Sequence, residues 1–177
     1  MPAGWPPRGA GPAFAIGTSK PKGAESGREI RVADTAIIGG QQGAVSVVLS
    51  SQGDENSMSF SVSFDTSKLT YVKTDRGVDL PGDAAIIKNE TQAASGRVGM
   101  LVGLAADTAF PAGNRELVKL TFTAAATASP VATPVDMGVT PTPQSVSDML
   151  GNDLTAAFTG GTVTINPPSG VGAWPLY

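Results

Sequence analysis

Residues 58–64, M-S-F-S-V-S-F, alternate large apolar side chains with serines without interruption. Successive side chains of a β-strand point to opposite faces, so a strand would place the apolar groups on one face and the serines on the other. A helix would scatter the same residues around its circumference. The segment therefore predicts a half-buried strand whose Met58, Phe60, Val62 and Phe64 face a core.

The same alternation, or a short run of β-branched residues, recurs along the chain every ~8–15 residues. Glycine, proline, asparagine and aspartate lie between these runs, as expected for turns. Such spacing predicts an all-β fold, an antiparallel sandwich. Besides 58–64, the predicted strands cover residues 30–33, 44–49, 69–72, 84–88, 97–104, 116–124, 135–139, 153–158 and 162–165.

Helical signals are confined to two places. Asp65 is suited to cap a single turn over residues 66–69. The alanine run 124–128 favours a helix by propensity, but Ser129 and Pro130 follow it at once. We interpret that run as a strand end that passes into a loop.

Proline and glycine divide the chain into three zones. Residues 1–27 and 167–177 are rich in both, which is typical of extended arms or linkers. Residues 28–166 carry the strand pattern and are expected to form one domain.

Each arm contains an apolar segment. The residues concerned are Phe14 and Ile16 in the first arm and Trp174, Leu176 and Tyr177 in the second. An extended apolar segment can add to an exposed sheet edge of a neighbouring molecule, and a head-to-tail contact of that kind builds an open filament. A self-assembling structural subunit of a surface filament, joined through the arms, is therefore one alternative for the function.

The chain contains neither cysteine nor histidine. Their absence excludes disulfides, thiolate nucleophiles, zinc held by these residues and a Ser-His-Asp triad. Acid–base catalysis would need a carboxylate or lysine with a strongly shifted pKa. A net charge of −3 without a basic patch argues against nucleic-acid binding. We therefore expect a binding or structural module and not an enzyme.

No apolar run approaches the ~20 residues that span a bilayer, so we expect no transmembrane segment. The first residues also lack the basic and apolar regions of a signal peptide. We expect either that a signal has been removed or that the chain is a segment of a larger protein.

Four features in order carry a family resemblance. They are V-S-V-V-L at 45–49, the strand 58–64 followed by D-T-S-K-L-T-Y-V at 65–72, G-R-V-G-M-L-V at 96–102 with L-V-K-L-T-F at 117–122, and G-N at 151–152 with G-G-T-V-T-I at 160–165. In this order and spacing, residues 29–166 resemble the cohesin module. The resemblance implies a nine-stranded jelly-roll β-sandwich that acts as an extracellular or cell-surface protein-interaction module.

The resemblance also implies a partner and a surface. Cohesins of the cellulosome type bind calcium-loaded dockerin modules on one sheet face, and Asn and Asp are common at the positions of Ser57 and Ser59. Serine at both positions removes a carboxylate and an amide from that face. The candidate partner-binding residues are Ser57, Ser59, Ser61 and Ser63; the alternative is that they form a solvated sheet face.

Two oxygen-rich loops are the candidates for a calcium ion, the one cofactor left open. Asp148 and Asp153 around Gly151 are the stronger pair, ahead of Asp54 and Glu55. Neither loop has the ligand spacing of an EF-hand, so ordinary turn residues are the alternative for both.

Carbohydrate binding is the third alternative for the function. Sugar rings stack on exposed aromatic side chains, but both tryptophans, Trp5 and Trp174, lie in the arms. No predicted strand carries a row of aromatic residues, and the expected partner is therefore a protein, either dockerin-like or an identical subunit.

Overall fold

The computed structural model of the chain describes residues 27–169, and the arm residues Phe14, Ile16, Trp174, Leu176 and Tyr177 lie outside that range. Twelve strands and a 3₁₀ turn at Ala93–Ser95 make up the regular structure of this range. The strands are β1 (Glu29–Val32), β2 (Thr35–Ile38), β3 (Gln42–Ser51), β4 (Glu55–Phe64), β5 (Leu69–Arg76), β6 (Ala85–Asn89), β7 (Arg97–Gly103), β8 (Gly113–Ala124), β9 (Val131–Gly138), β10 (Ser145–Asp148), β11 (Ala157–Thr159) and β12 (Gly161–Asn166). The prediction of an all-β fold is confirmed.

The strands form two sheets that pack face to face. The five-stranded sheet has the order β11-β1-β3-β8-β5, and the seven-stranded sheet has the order β2-β12-β9-β4-β7-β6, with β10 paired to β4 beyond the end of β9. Among the described residues, no helix is long and apolar enough to cross a membrane.

The core lies between the sheets and is filled by the inward-facing residues, which alternate with outward-facing ones along each strand. The predicted apolar face of β4 is confirmed, since Met58, Phe60, Val62 and Phe64 are all buried. The largest fully buried side chains include Phe60, Phe110, Phe122, Ile30, Leu49, Leu69, Met100, Leu117 and Leu120. At ~1.5–3 kcal/mol for each fully buried apolar side chain, this layer is the main source of stability.

The spacing of the runs predicted an antiparallel sandwich, but the sandwich is not wholly antiparallel. β1 pairs with β11, and β2 with β12, in parallel. The reason is that the chain crosses from one sheet to the other after Val32, and the later pair β11–β12 makes the same crossing alongside it.

The twelve strands of the described range exceed the nine that the resemblance implies. Two short strands, β2 and β10, gave no alternating pattern that could predict them. β9 also begins earlier than expected and includes Pro134. The proline is tolerated because β4 pairs with β9 only from Val135 onwards, so its missing N–H breaks no ladder bond on that side.

A tight turn lies at one end of the sandwich, and Arg28 lies at the other. At one end, here called the turn end, Asp65 accepts bonds from the N–H groups of Ser67, Lys68 and Leu69, which confirms the predicted single turn. β12 ends at Asn166 at the same end. Arg28 lies at the opposite end, here called the Arg28 end, where β1 begins.

Candidate functional site

The four candidate serines lie on β4 and point away from the core, but two of them are not exposed. Ser59 and Ser61 are 7% and 0% exposed, whereas Ser57 and Ser63 are half-buried. A solvated sheet face is therefore wrong for Ser59 and Ser61. Their role in binding a partner stays a prediction.

A segment of the same chain covers these serines. Residues 139–144, here called the strap, connect β9 to β10 across the outer face of the seven-stranded sheet. The Ser61 hydroxyl donates to the Thr142 carbonyl at 2.7 Å, and the Thr142 N–H donates back to Ser61 Oγ at 2.8 Å. The Ser59 hydroxyl donates to the Pro143 carbonyl at 2.7 Å. The serines therefore hold the strap against the sheet.

β10 extends this contact along β4. The hydroxyls of Ser57 and Ser147 lie 2.7 Å apart, and those of Ser59 and Ser145 lie 2.8 Å apart, so each pair shares a hydrogen bond. These cross-strand pairs fix the register in which β10 docks.

Gly99 on β7 gives the strap the room that it needs. A Cβ atom added at Gly99 would lie 2.1 Å from Thr142 Oγ1 and 3.1 Å from Pro141 Cγ. Only a residue without a side chain fits under the strap. The sequence pattern does not predict this contact, because Gly99 and Thr142 are far apart in the chain.

We expect Ser61→Ala to loosen the strap. The change removes both hydrogen bonds to Thr142 inside a buried contact, which should cost ~1–3 kcal/mol. Hydrogen exchange of the Thr142 amide, measured by NMR, should accelerate clearly. Ser63→Ala is the matched control, since the Ser63 hydroxyl does not bond the strap. Equal exchange rates in the two variants would show that Ser61 does not hold it.

The part of the outer face that the strap leaves open is uncharged and mostly apolar. Ile87 on β6 and Leu101 on β7 lie side by side in register and are 62% and 38% exposed. Ala85 and Gly103 form the next cross-strand pair, and Ser57 lies opposite Gly103 on β4. These five residues are here called the open patch. It carries no charge, and the sequence pattern did not single it out.

The acidic loop at the Arg28 end holds an ion pair. Glu55 is fully buried, and its Oε1 lies 2.6 Å from Arg28 Nε. Asp54 Oδ1 lies 2.6 Å from Arg28 Nη2, while Arg28 Nη1 donates to the Thr155 carbonyl at 2.8 Å. The guanidinium therefore ties the start of β1 to two other segments.

Hydrogen bonds saturate the Glu55 carboxylate. The Ser51 hydroxyl donates to Oε2 at 2.5 Å, the Gln52 N–H donates to Oε1 at 2.8 Å, and the Gly53 N–H donates to Oε2 at 3.2 Å. Burial alone would raise the pKa of Glu55, but these bonds and the one from Arg28 outweigh it and hold the pKa below its ordinary value.

Asp148 and Asp153 lie near each other, because Asp153 pairs with Ser147, the residue before Asp148 at the end of β10. Asp148 Oδ1 accepts from the N–H groups of Leu150 and Asn152, at 2.8 and 2.9 Å, and Oδ2 accepts from Asn152 Nδ2 at 2.9 Å. These bonds hold the pKa of Asp148 below its ordinary value. Within residues 27–169, no group of three or more Asp and Glu side chains could hold a metal ion. Calcium binding here stays a prediction.

Comparison with known proteins identifies the fold. No protein-family model and no curated protein matches the sequence. Solved structures do: the sixth cohesin of Acetivibrio cellulolyticus scaffoldin B, in complex with the Cel5 dockerin, is 20% identical, with 80% of this chain and 100% of that chain covered and a TM-score of 0.68. The seventh ScaB type I cohesin of Pseudobacteroides cellulosolvens is 15% identical, covering 84% and 98%, with a TM-score of 0.67.

The likeness extends beyond cellulosomes. A non-cellulosomal cohesin from the hyperthermophilic archaeon Archaeoglobus fulgidus is 14% identical, covering 79% of this chain and 91% of that chain, with a TM-score of 0.65. All three relatives are matched over almost their whole length. The chain therefore has the cohesin fold, and the predicted resemblance to a cohesin-like module is confirmed.

Proposed function

We propose that this chain is a non-catalytic protein-interaction module that binds a folded partner through the open patch. The observation that carries the proposal is the exposed pair Ile87 and Leu101 on a sheet face whose neighbouring side chains are small and uncharged. Large aliphatic side chains in register on neighbouring strands offer apolar area that a partner can bury.

The nature of the partner is inferred from the structural neighbours. The Acetivibrio cellulolyticus cohesin was solved with a dockerin bound, and a dockerin-like module is therefore the first partner to test. By its resemblance to cohesins, we further propose that the module works in a surface assembly, outside the cell or on its surface. Fold similarity to binding modules, together with the absence of histidine and cysteine, supports a non-enzyme.

We expect Ile87→Lys to weaken binding of a dockerin-like partner at least ~10-fold, because a lysine ammonium would have to be desolvated against an apolar contact. Isothermal titration calorimetry against a panel of calcium-loaded dockerin modules measures this. Val72→Lys is the matched control, since Val72 is 41% exposed but lies on β5 in the other sheet.

The possible outcomes test the binding surface and the identity of the partner separately. If a dockerin binds the native chain and both lysine variants equally, the open patch is not the binding surface. If no dockerin in the panel binds the native chain, the dockerin-like partner is wrong.

A further inference from the structure

An open recess lies at the turn end, between the edge of the five-stranded sheet and the 3₁₀ turn. It has a volume of ≈ 380 Å³. Phe64, Leu69, Tyr71, Ala93 and Ala94 form its apolar walls, and Thr66 and Thr70 complete its lining. None of the residues that line the recess belongs to the open patch, and the proposed function makes no use of the recess.

Aromatic rings already cluster behind this recess. The ring of Phe122 packs edge-to-face on Phe64, with centroids 4.9 Å apart, and on Tyr71, with centroids 6.1 Å apart. The Tyr71 hydroxyl donates to Glu90 Oε1 at 2.6 Å, which holds the ring in place. A further ring in the recess would extend this edge-to-face cluster and bury ~150–250 Å² of apolar surface.

The described chain leaves the sandwich close to the recess. Hydrogen bonds connect the end of β12 to the recess wall in three steps. They join Gly39 N to Asn166 O at 2.8 Å, Gly40 N to Ala124 O at 2.9 Å, and Ala125 N to Lys68 O at 2.8 Å. At ~5 Å a step, the path from Asn166 to Leu69 is about 15–20 Å.

One segment outside the described range matches the recess in reach and chemistry. Trp174 follows Asn166 by eight residues, a stretch that can span up to ~28 Å. We propose that the recess is the docking site of the Trp174 side chain of the same chain, with Leu176 and Tyr177 packing at its rim.

The first arm is a poorer match. Its apolar residues Phe14 and Ile16 precede Arg28, which lies at the opposite end of the sandwich, and its tryptophan, Trp5, would have to close a loop of 23 residues to Arg28, against eight for Trp174. A strand as long as the twelve-residue β8 spans ~40 Å, so Ile16 would reach the recess only with its twelve intervening steps fully extended.

Tryptophan fluorescence tests the proposal directly. Trp5→Phe leaves Trp174 as the sole tryptophan of the full chain. We expect its emission to be blue-shifted and its quenching by acrylamide to be about three-fold weaker than in the urea-unfolded chain, because docking buries the indole. Ala94→Arg, introduced into this background, fills the recess and should restore red-shifted emission and strong quenching.

The control is Ser95→Arg in the same background, which adds the same side chain to the next residue, exposed and outside the recess lining. It should leave the docked signal unchanged. Far-UV circular dichroism checks that all variants keep the sheet signal. Emission like that of the unfolded chain in Trp5→Phe, or no difference between the two arginine variants, overturns the proposal. A blue shift that disappears on dilution overturns it in favour of docking from a second copy.

Discussion

Replacing Glu55 with alanine should destabilise the domain by about 3–5 kcal/mol, the largest loss that we expect from a single polar substitution. Glu55 is fully buried, and its removal leaves the Arg28 guanidinium, 11% exposed, without its buried counter-ion. The Ser51 hydroxyl and the N–H groups of Gln52 and Gly53 lose the same acceptor. Urea unfolding, followed by circular dichroism, measures the loss.

Two controls show whether burial of the pair is the cause. Asp54→Ala removes the exposed partner of the same guanidinium and should cost at most ~1 kcal/mol. The double variant Arg28→Met/Glu55→Leu removes both buried charges and should be more stable than Glu55→Ala alone. A Glu55→Ala variant no less stable than Asp54→Ala would contradict the prediction.

The same carboxylate predicts a pH dependence. The pKa of Glu55 is held below its ordinary value in the folded state, so the folded state favours the charged form. Its contribution is therefore complete above the unfolded pKa of about 4.3 and is lost as the pH falls through the folded pKa. Acid unfolding of Glu55→Gln should lack this component, and an unchanged pH profile in that variant would show that other carboxylates dominate.

Phe122→Ala should lower the free energy of unfolding by about 3–5 kcal/mol, because it leaves a cavity in the core. The Phe122 side chain is fully buried, and its ring contacts both Phe64 and Tyr71. Phe122 lies on β8, which is paired on both sides, so its backbone cannot collapse fully into the space. At ~2–4 °C for each kcal/mol, the melting temperature should fall by roughly 6–20 °C in differential scanning calorimetry.

Matched variants test the cavity argument. Phe122→Leu keeps most of the volume and should lose clearly less stability than the alanine variant. Tyr71→Phe keeps the neighbouring ring and removes only its hydroxyl, which bonds Glu90 and Thr74, for an expected loss of about 1–2 kcal/mol. Equal losses in Phe122→Leu and Phe122→Ala would mean that edge-to-face contact, and not volume, sets the cost.

The open patch and the strap show why the site was harder to predict than the fold. Serines 57, 59, 61 and 63 were predicted as an outward-facing row, and their direction on β4 is as expected. Whether such a row meets water depends on what lies above it. Here the strap bonds Ser59 and Ser61, while Ile87 and Leu101 become neighbours only through the pairing of β6 with β7.

The sequence by itself determined the fold class, the buried face of β4 and the turn at Asp65, because side-chain alternation and turn chemistry act between residues close in the chain. Only the tertiary structure decided that Glu55 is buried on Arg28, that Gly99 lies under the strap and that the chain leaves the sandwich at the same end as the aromatic recess. Each of these depends on contacts between residues far apart in sequence, and local pattern does not specify which distant segments meet.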